Sequence, residues 1–399
     1  MKKSIMFVLL LMVLSCAEPA LAQRSKDNFD SPTNPPVKRI PVEIPITNQI
    51  YVQARLNDSQ PMWFILDTGA TWTILDVDKA RELNIKSEGA RTLDLGQTHT
   101  VSTTFAKDAS LDISGMRVPV KTLAVMPAKF RHAPQIVGLI GSDLFKRFVV
   151  EIDYDAKAIN VFEPDKYKYT GHGEILPIEL IEEIPHIIAN ISRGDLSSLR
   201  TKLLVDTGAA ETLVLYAPIV EKNKLLESTK GTVKLRTGGL GGGDFNYKVR
   251  AKTVTIGNTT LNKPLINFST GKGAADRRDG VIGNGLLDRF KLIIDYSRQR
   301  VILEPSQRFN DPTDFDFFVF KLGRDANNYI VTDMLGASMT GEAGLRTGDF
   351  LMAVDGKPVS GLQLIEIQKM FMMDGRDRIL SIRRGDQKLD IKLETFPIY

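Results

Sequence analysis

The sequence predicts a mainly β protein built from two homologous lobes, with a small α+β domain after them. Three observations carry that prediction. The segment Phe64-Ile-Leu-Asp-Thr-Gly-Ala70 returns as Leu203-Leu-Val-Asp-Thr-Gly-Ala209. A second block, Val137-Gly-Leu-Ile-Gly-Ser-Asp-Leu-Phe-Lys-Arg-Phe-Val-Val-Glu-Ile-Asp-Tyr154, returns as Asp279-Gly-Val-Ile-Gly-Asn-Gly-Leu-Leu-Asp-Arg-Phe-Lys-Leu-Ile-Ile-Asp-Tyr296. Residues from about 313 onward repeat neither block and carry their own turn and strand pattern.

The second block pairs Gly138 with Gly280, Gly141 with Gly283, Phe148 with Phe290, Asp153 with Asp295 and Tyr154 with Tyr296. Both copies close with an apolar strand and Glu-Pro, at Glu163-Pro164 and Glu304-Pro305. Such a period is too long for a solenoid and fits two lobes of about 130 residues. The lobes are read as 40–166 and 174–306.

Within each lobe, short runs rich in β-formers are bounded by Asn, Asp or Gly. They include 50–56, 118–125 and 249–256. Val149–Tyr154 with Ala158–Phe162, and Lys291–Tyr296 with Arg300–Leu303, read as hairpins. A helical turn follows Gly141 and Gly283, with Ser142 and Asn284 as expected N-caps.

Composition excludes several classes. The chain has 399 residues, 43% hydrophobic and 25% charged, which is ordinary for a folded soluble protein. Its net charge of +4 comes without a basic block, so no nucleic-acid partner is expected. Four scattered histidines, His99, His132, His172 and His186, show no paired ligand spacing. No metal and no other cofactor is therefore expected. The single cysteine, Cys16, and the lack of a Gly-x-Ser-x-Gly elbow give no support to a thiol or serine nucleophile.

Residues 1–22 read as a signal peptide. Lys2 and Lys3 precede an apolar stretch, Ile5 to Leu14, too short for a lasting membrane anchor. Two processing readings stand. Ala20-Leu21-Ala22 fits cleavage before Gln23, whereas Val13-Leu14-Ser15-Cys16 loosely resembles a lipoprotein box. In the second case Cys16 would be lipidated and the protein would meet a membrane. Either way the expected location is outside the cytoplasm, periplasmic or secreted. Segment 23–39 is polar, carries three prolines and reads as a disordered linker.

The doubled motif has a chemical logic. In each copy an apolar strand delivers an aspartate to a sharp turn. Gly69 and Gly208 permit close backbone approach, so two such turns can meet. If they do, Asp67 and Asp206 lie side by side and cannot both stay ionised near working pH. Such a pair can act as general base and general acid on one water. The hydroxyls of Thr68 and Thr207 can brace the junction.

Both motifs resemble the Asp-Thr-Gly signature of pepsin- and retropepsin-type aspartic proteases. Ile136–Gly141 and Val281–Gly283 resemble the apolar-apolar-Gly strands that support the active-site loop of that class. The resemblance spans roughly 40–306. It implies bilobal, retropepsin-like β-barrels, with peptides or proteins hydrolysed by an aspartate-activated water. Alanine after the glycine is the retroviral-type spelling. Ala70 and Ala209 offer no hydroxyl to the carboxylates, which points to an optimum above that of pepsin-like enzymes.

Proteases of this class cover the substrate with a hairpin flap. The glycine-rich tip Gly238-Gly239-Leu240-Gly241-Gly242-Gly243 is the candidate in lobe two, and 93–101 in lobe one has one glycine. The pair Arg277-Arg278 reads as a solvated loop or a processing site. The other functional class is a catalytically inactive peptide-binding or adaptor protein on the same scaffold.

Residues 313–399 resemble a PDZ domain of the bacterial protease-associated kind, through Ala343-Gly-Leu-Arg-Thr-Gly-Asp349 and Val354-Asp-Gly-Lys-Pro-Val359. Asp355-Gly356 reads as a hairpin turn, 362–373 as a helix, and 379–383 and 388–393 as closing strands. The resemblance implies binding of a C-terminal peptide, with Phe320, Leu322 and Gly323 as candidate contacts. A packing module without a ligand is the other reading.

Overall fold

The computed structural model describes residues 35–45, 48–94, 100–128, 130, 133–192, 198–227, 233–239, 242–271, 277–310, 320–325, 328–334, 344–363, 366–367, 370–371 and 377–393. The expected signal peptide, most of the linker, and Leu240 and Gly241 of the candidate flap lie outside these residues. Among the described residues no helix is long and apolar enough to cross a membrane.

The architecture is mainly β. Lobe one is a seven-stranded sheet in the order Tyr51–Leu56, Met62–Leu66, Ile136–Ile140, Thr73–Asp76, Met116–Met126, Thr100–Ile113, Glu88–Asp94. Tyr51–Leu56 also pairs with Thr100–Ile113, Arg55 opposite Asp112, which curls the sheet back on itself. In its centre Met62–Leu66 runs parallel to Ile136–Ile140. That strand is antiparallel to Thr73–Asp76, which in turn is parallel to Met116–Met126.

Lobe two repeats this local order. Leu199–Val205 is parallel to Gly280–Ile282, which is antiparallel to Leu213–Leu215, itself parallel to Leu265–Ser269. The repeated Gly138 and Gly280 sit where these central strands touch. A Cβ on either would run into the carbonyl oxygen of Ile74 or Val214.

A third sheet joins the lobes. Its order is Lys38–Pro41, Ala158–Phe162, Val149–Asp153, Phe290–Asp295, Arg300–Pro305, Glu174–Pro177. The two predicted hairpins meet at its centre, where Ile293 stands opposite Glu151. One apolar core runs through both lobes, and Ile40, Phe64, Leu66, Leu203, Val205 and Phe290 are all at most 1% exposed within it. Burial on this scale drives the docking of the lobes.

The strand Lys38–Pro41 starts inside the stretch read as linker, because it completes the bridging sheet and buries Ile40. The run 249–256 is two strands rather than one. Gly242–Arg250 pairs with Leu265–Ser269, and Thr253–Ile256 turns away to pair with Ile184–Ser192. The break at Ala251-Lys252 is held by Ala251 N–H on Pro264 O at 3.0 Å and Lys252 N–H on Ser192 O at 2.7 Å.

Residues from Phe320 on form a separate sheet in the order Phe320–Asp325, Asn328–Met334, Phe350–Val354, Arg378–Arg384, Gln387–Leu393. Its core is its own, around Phe320, Val331, Leu351, Ile367, Leu380 and Ile382. Asp355 and Gly356 both have positive φ, 49° and 76°, as the predicted hairpin turn requires. Asp349 is 1% exposed and clamped by Arg384, whose Nε and Nη2 donate at 2.7 and 2.8 Å. Of the predicted helix 362–373, residues 366–367 and 370 are helical and the rest of its middle lies outside the described residues.

Candidate active site

Each aspartate leaves the end of a buried strand, and each turn is pinned to the other lobe. Thr68 N–H donates to Thr207 Oγ1 at 3.1 Å, and Thr207 N–H donates to Thr68 Oγ1 at 3.0 Å. Each hydroxyl then donates across the junction, Thr68 to Val205 O at 2.7 Å and Thr207 to Leu66 O at 2.8 Å. Both threonines are fully buried. All four polar groups lie out of water and satisfy one another, so the brace has little slack.

The glycines let the carboxyls meet. A Cβ added to Gly69 would sit 2.6 Å from Asp206 Cγ, and one added to Gly208 would overlap the Asp67 carboxyl. Each carboxyl therefore rests over the opposite turn. Gly69 N–H donates to Asp67 Oδ1 at 2.8 Å. Gly208 N–H and Ala209 N–H donate to Asp206 Oδ1 at 2.8 and 3.2 Å. We predict that Gly69→Ala or Gly208→Ala lowers peptide cleavage by about 10²-fold or more, since displacing a reacting group by an ångström costs that much. Steady-state rates beside a thermal melt check this, and near wild-type rates contradict it.

The electrostatics are unequal. Asp67 is held well above the usual carboxylate range, first by burial and then by the charge and hydrogen bond of Asp206. Asp206 is also raised by burial, but the Asp67 hydrogen bond, the Gly208 and Ala209 N–H groups and the Arg278 charge pull it back. Two carboxyls this close do not both ionise, and the stronger upward shift of Asp67 makes it the favoured holder of the proton they share.

Asn284 is a further part of the site that sequence reasoning missed. The structure places it and Ser142 at the first helical position, and Gly283 and Gly141 take the cap. The side chains are used elsewhere. Asn284 Nδ2 donates to Thr207 O at 2.5 Å, and its Oδ1 accepts from Tyr154 Oη at 2.6 Å. The Asp206 turn is thereby tied to lobe one.

Ser142 occupies the matching place in lobe one and is shorter. It donates to Thr71 O at 2.6 Å, and the Tyr296 hydroxyl is buried without a partner. Gln49 adds another cross-lobe tie, with Nε2 donating to Gly208 O at 2.6 Å. The repeated tyrosines and the Ser/Asn exchange between copies were the visible signals, but only the docked lobes show what they bind.

The other expected site residues divide. The flap candidates Gly238, Gly239, Gly242 and Gly243 form a paired hairpin, Gly238 opposite Gly243 and Gly239 opposite Gly242. In lobe one, Glu88–Asp94 pairs with Thr100–Ile113, and 95–99 lie outside the described residues. Phe320 is fully buried and packs edge-on against Phe371 with ring centroids 5.6 Å apart, so its side chain is part of the core. Leu322 and Gly323 lie on the same strand, which pairs on one side with Asn328–Met334. Arg277 is ion-paired with Glu182. Arg277 is exposed, and Arg278, in the irregular stretch before Gly280–Ile282, is half-buried.

Comparison with known proteins bears on the first of the two turns. Residues 52–144 match the family model described as aspartyl protease. That stretch contains the Asp67–Ala70 turn and its supporting strand Ile136–Ile140, and it supports a protease activity for the chain. No curated protein matches the chain. Among solved structures, an aspartic proteinase from Irpex lacteus is similar to it at a TM-score of 0.44 and 14% identity, over 69% of this chain and 99% of that one.

Proposed function

We propose that the chain is an aspartic endopeptidase in which Asp67 and Asp206 act as one catalytic pair. The observation that carries this is the joint packing of the two turns, each carboxyl over the other turn's glycine and one proton between them. Asp206, ionised, takes a proton from a water lodged between the carboxyls. Asp67, protonated, gives its proton to the carbonyl oxygen of the scissile peptide. The water oxygen bonds to the carbonyl carbon, and collapse of the tetrahedral species sends a proton to the departing amine.

The lobe-two hairpin Val233–Gly239 and Gly242–Arg250 would close over the substrate. The C-terminal domain would act as a PDZ module, recruiting substrate through strand addition. Its independent core, its Asp355-Gly356 turn and the edge position of Phe320–Asp325 among the described strands support that reading. The Lys-apolar N-terminal segment supports export.

Incubation of the purified protein with a peptide library between pH 3 and 8, read by mass spectrometry, tests the function. Internal cleavage blocked by a pepstatin-type inhibitor is expected. A library left intact at every pH overturns the reading in favour of a peptide-binding protein. The pH dependence is a separate prediction. Catalysis needs Asp206 ionised and Asp67 protonated, so the rate is bell-shaped between the two steps of the pair. Burial raises both carboxyls, which sets the optimum in the mildly acidic to neutral range. A maximum near pH 2 contradicts this.

A further inference from the structure

On the peptidase reading, the side chains that flank Asp67 and Asp206 form two walls around the substrate, and these differ in chemistry. In Leu199–Val205, Leu203 and Val205 enter the barrel core, while Leu204 joins Ile184, Tyr216 and Val281 in a separate cluster. Alternation puts Leu204 on the same face as Asp206, so this cluster flanks the carboxyl. Ala209, which follows the motif, packs on it. In lobe one, Ile65 takes the place of Leu204, among Tyr51, Ile136 and Leu139, with Trp72 and Phe105 packed against them.

The internal repeat lets the walls be compared residue by residue. Tyr51 stands opposite Ile65 as His186 stands opposite Leu204. Ile136 and Arg278 stand at matching places, each immediately before its copy of the second repeated block. Two apolar positions of lobe one are thus polar in lobe two.

His186 is 2% exposed, its Nδ1 lies 3.0 Å from Ile184 O, and its Nε2 has no partner. Burial and the Arg278 charge keep it neutral. The Arg278 guanidinium engages the Tyr216 hydroxyl, yet its buried Nε is unpartnered. Among the described residues no carboxylate forms an ion pair with Arg278. The charge of Arg278 acts on the Asp206 carboxyl without a direct ion pair, so the guanidinium can bond a ligand's carboxylate directly.

We propose that the lobe-two wall holds a carboxylate of the substrate on Arg278. Peptides that set Asp, Glu or a free chain terminus against lobe two, and an apolar residue against lobe one, are then the preferred substrates. This inference rests on the peptidase reading above. Planar, charge-assisted bonding from the guanidinium to the carboxylate gives it its selectivity.

The test is a set of octapeptides with a central Phe and either Glu or Gln placed at each other position in turn. Each peptide is made as free acid and as amide. The wild type should cleave the Glu peptide about tenfold faster than its Gln twin at one position on one side of the bond. Arg278→Gln should bring that ratio close to one, and Arg278→Glu should favour Lys at the same place. The ratio is taken within one enzyme, so any change in the dyad itself cancels. A preference that follows the free acid over the amide instead assigns the site to the chain terminus.

A Glu to Gln ratio near one in the wild type at every position, with no preference for free acid, overturns the proposal. So does a Gln preference, which would match an amide bridging Arg278 and His186, or a ratio that survives Arg278→Gln. If the wild type cleaves no peptide, the peptidase reading fails, and anisotropy with the same labelled peptides decides the Arg278 claim. An affinity ratio of about ten that Arg278→Gln erases upholds it, and a ratio of one overturns it.

Discussion

Asp67→Asn is expected to lose peptide cleavage by about 10³-fold or more while melting at a higher temperature than the wild type at pH 7. The same holds for Asp206→Asn. The loss of activity follows from removing the proton that the pair shares. The gain in stability follows from linkage. Burial raises the folded-state pKa of both carboxyls above the unfolded value. Over the window between the two values the native state binds more protons than the unfolded state, so stability falls as pH rises through it. The wild type therefore carries a cost at neutral pH that an uncharged amide relieves. Below the unfolded carboxyl value, near pH 3.8, the carboxyls are protonated in both states and the melting difference should vanish. Melts of the three proteins from pH 3 to 8 check this. A variant less stable than the wild type across the whole range contradicts it.

Thr207→Val is expected to destabilise the protein by about 2–6 kcal/mol. Valine keeps the shape but removes the hydroxyl, which leaves Leu66 O without its donor and Thr68 N–H without its acceptor. Each unsatisfied buried group costs about 1–3 kcal/mol. Thr68→Val should cost a similar amount, because its hydroxyl serves Val205 O and Thr207 N–H in the same way. Thr207→Ser keeps the hydroxyl and should stay within about 1 kcal/mol of wild type. Denaturant midpoints at constant slope read the difference. Equal stability of the valine and serine variants would show that the brace carries no load.

The repeat made much of this legible before any coordinates. Two copies of one turn, each with its later apolar-Gly strand, predicted the mainly β fold and the hairpins 149–162 and 291–303, and singled out the turns at Asp67 and Asp206. These features depend on local pattern and on a symmetry the sequence displays. What stayed hidden depends on contacts made only after the lobes dock.

Asn284 reads as a cap because polar residues favour helix starts. Its amide instead ties Thr207 to Tyr154 across the interface. Arg278 reads as a surface cation because it follows another arginine. Its environment is set by Tyr216 and His186, which lie 62 and 92 positions earlier in the chain. The strand break at Ala251-Lys252 was equally invisible, since an unbroken run of β-formers does not show that its two halves pair with different partners.

The central claim is that Asp67 and Asp206 form one catalytic unit. The kcat/KM of wild type, Asp67→Asn, Asp206→Asn and the double variant on one cleaved peptide tests it most directly. Groups that act as a unit are strongly non-additive. The account predicts that each single variant loses as much as the double variant, to within about tenfold. A single variant with substantial activity, or a double variant whose loss is the product of the two single losses, would show that the aspartates work separately.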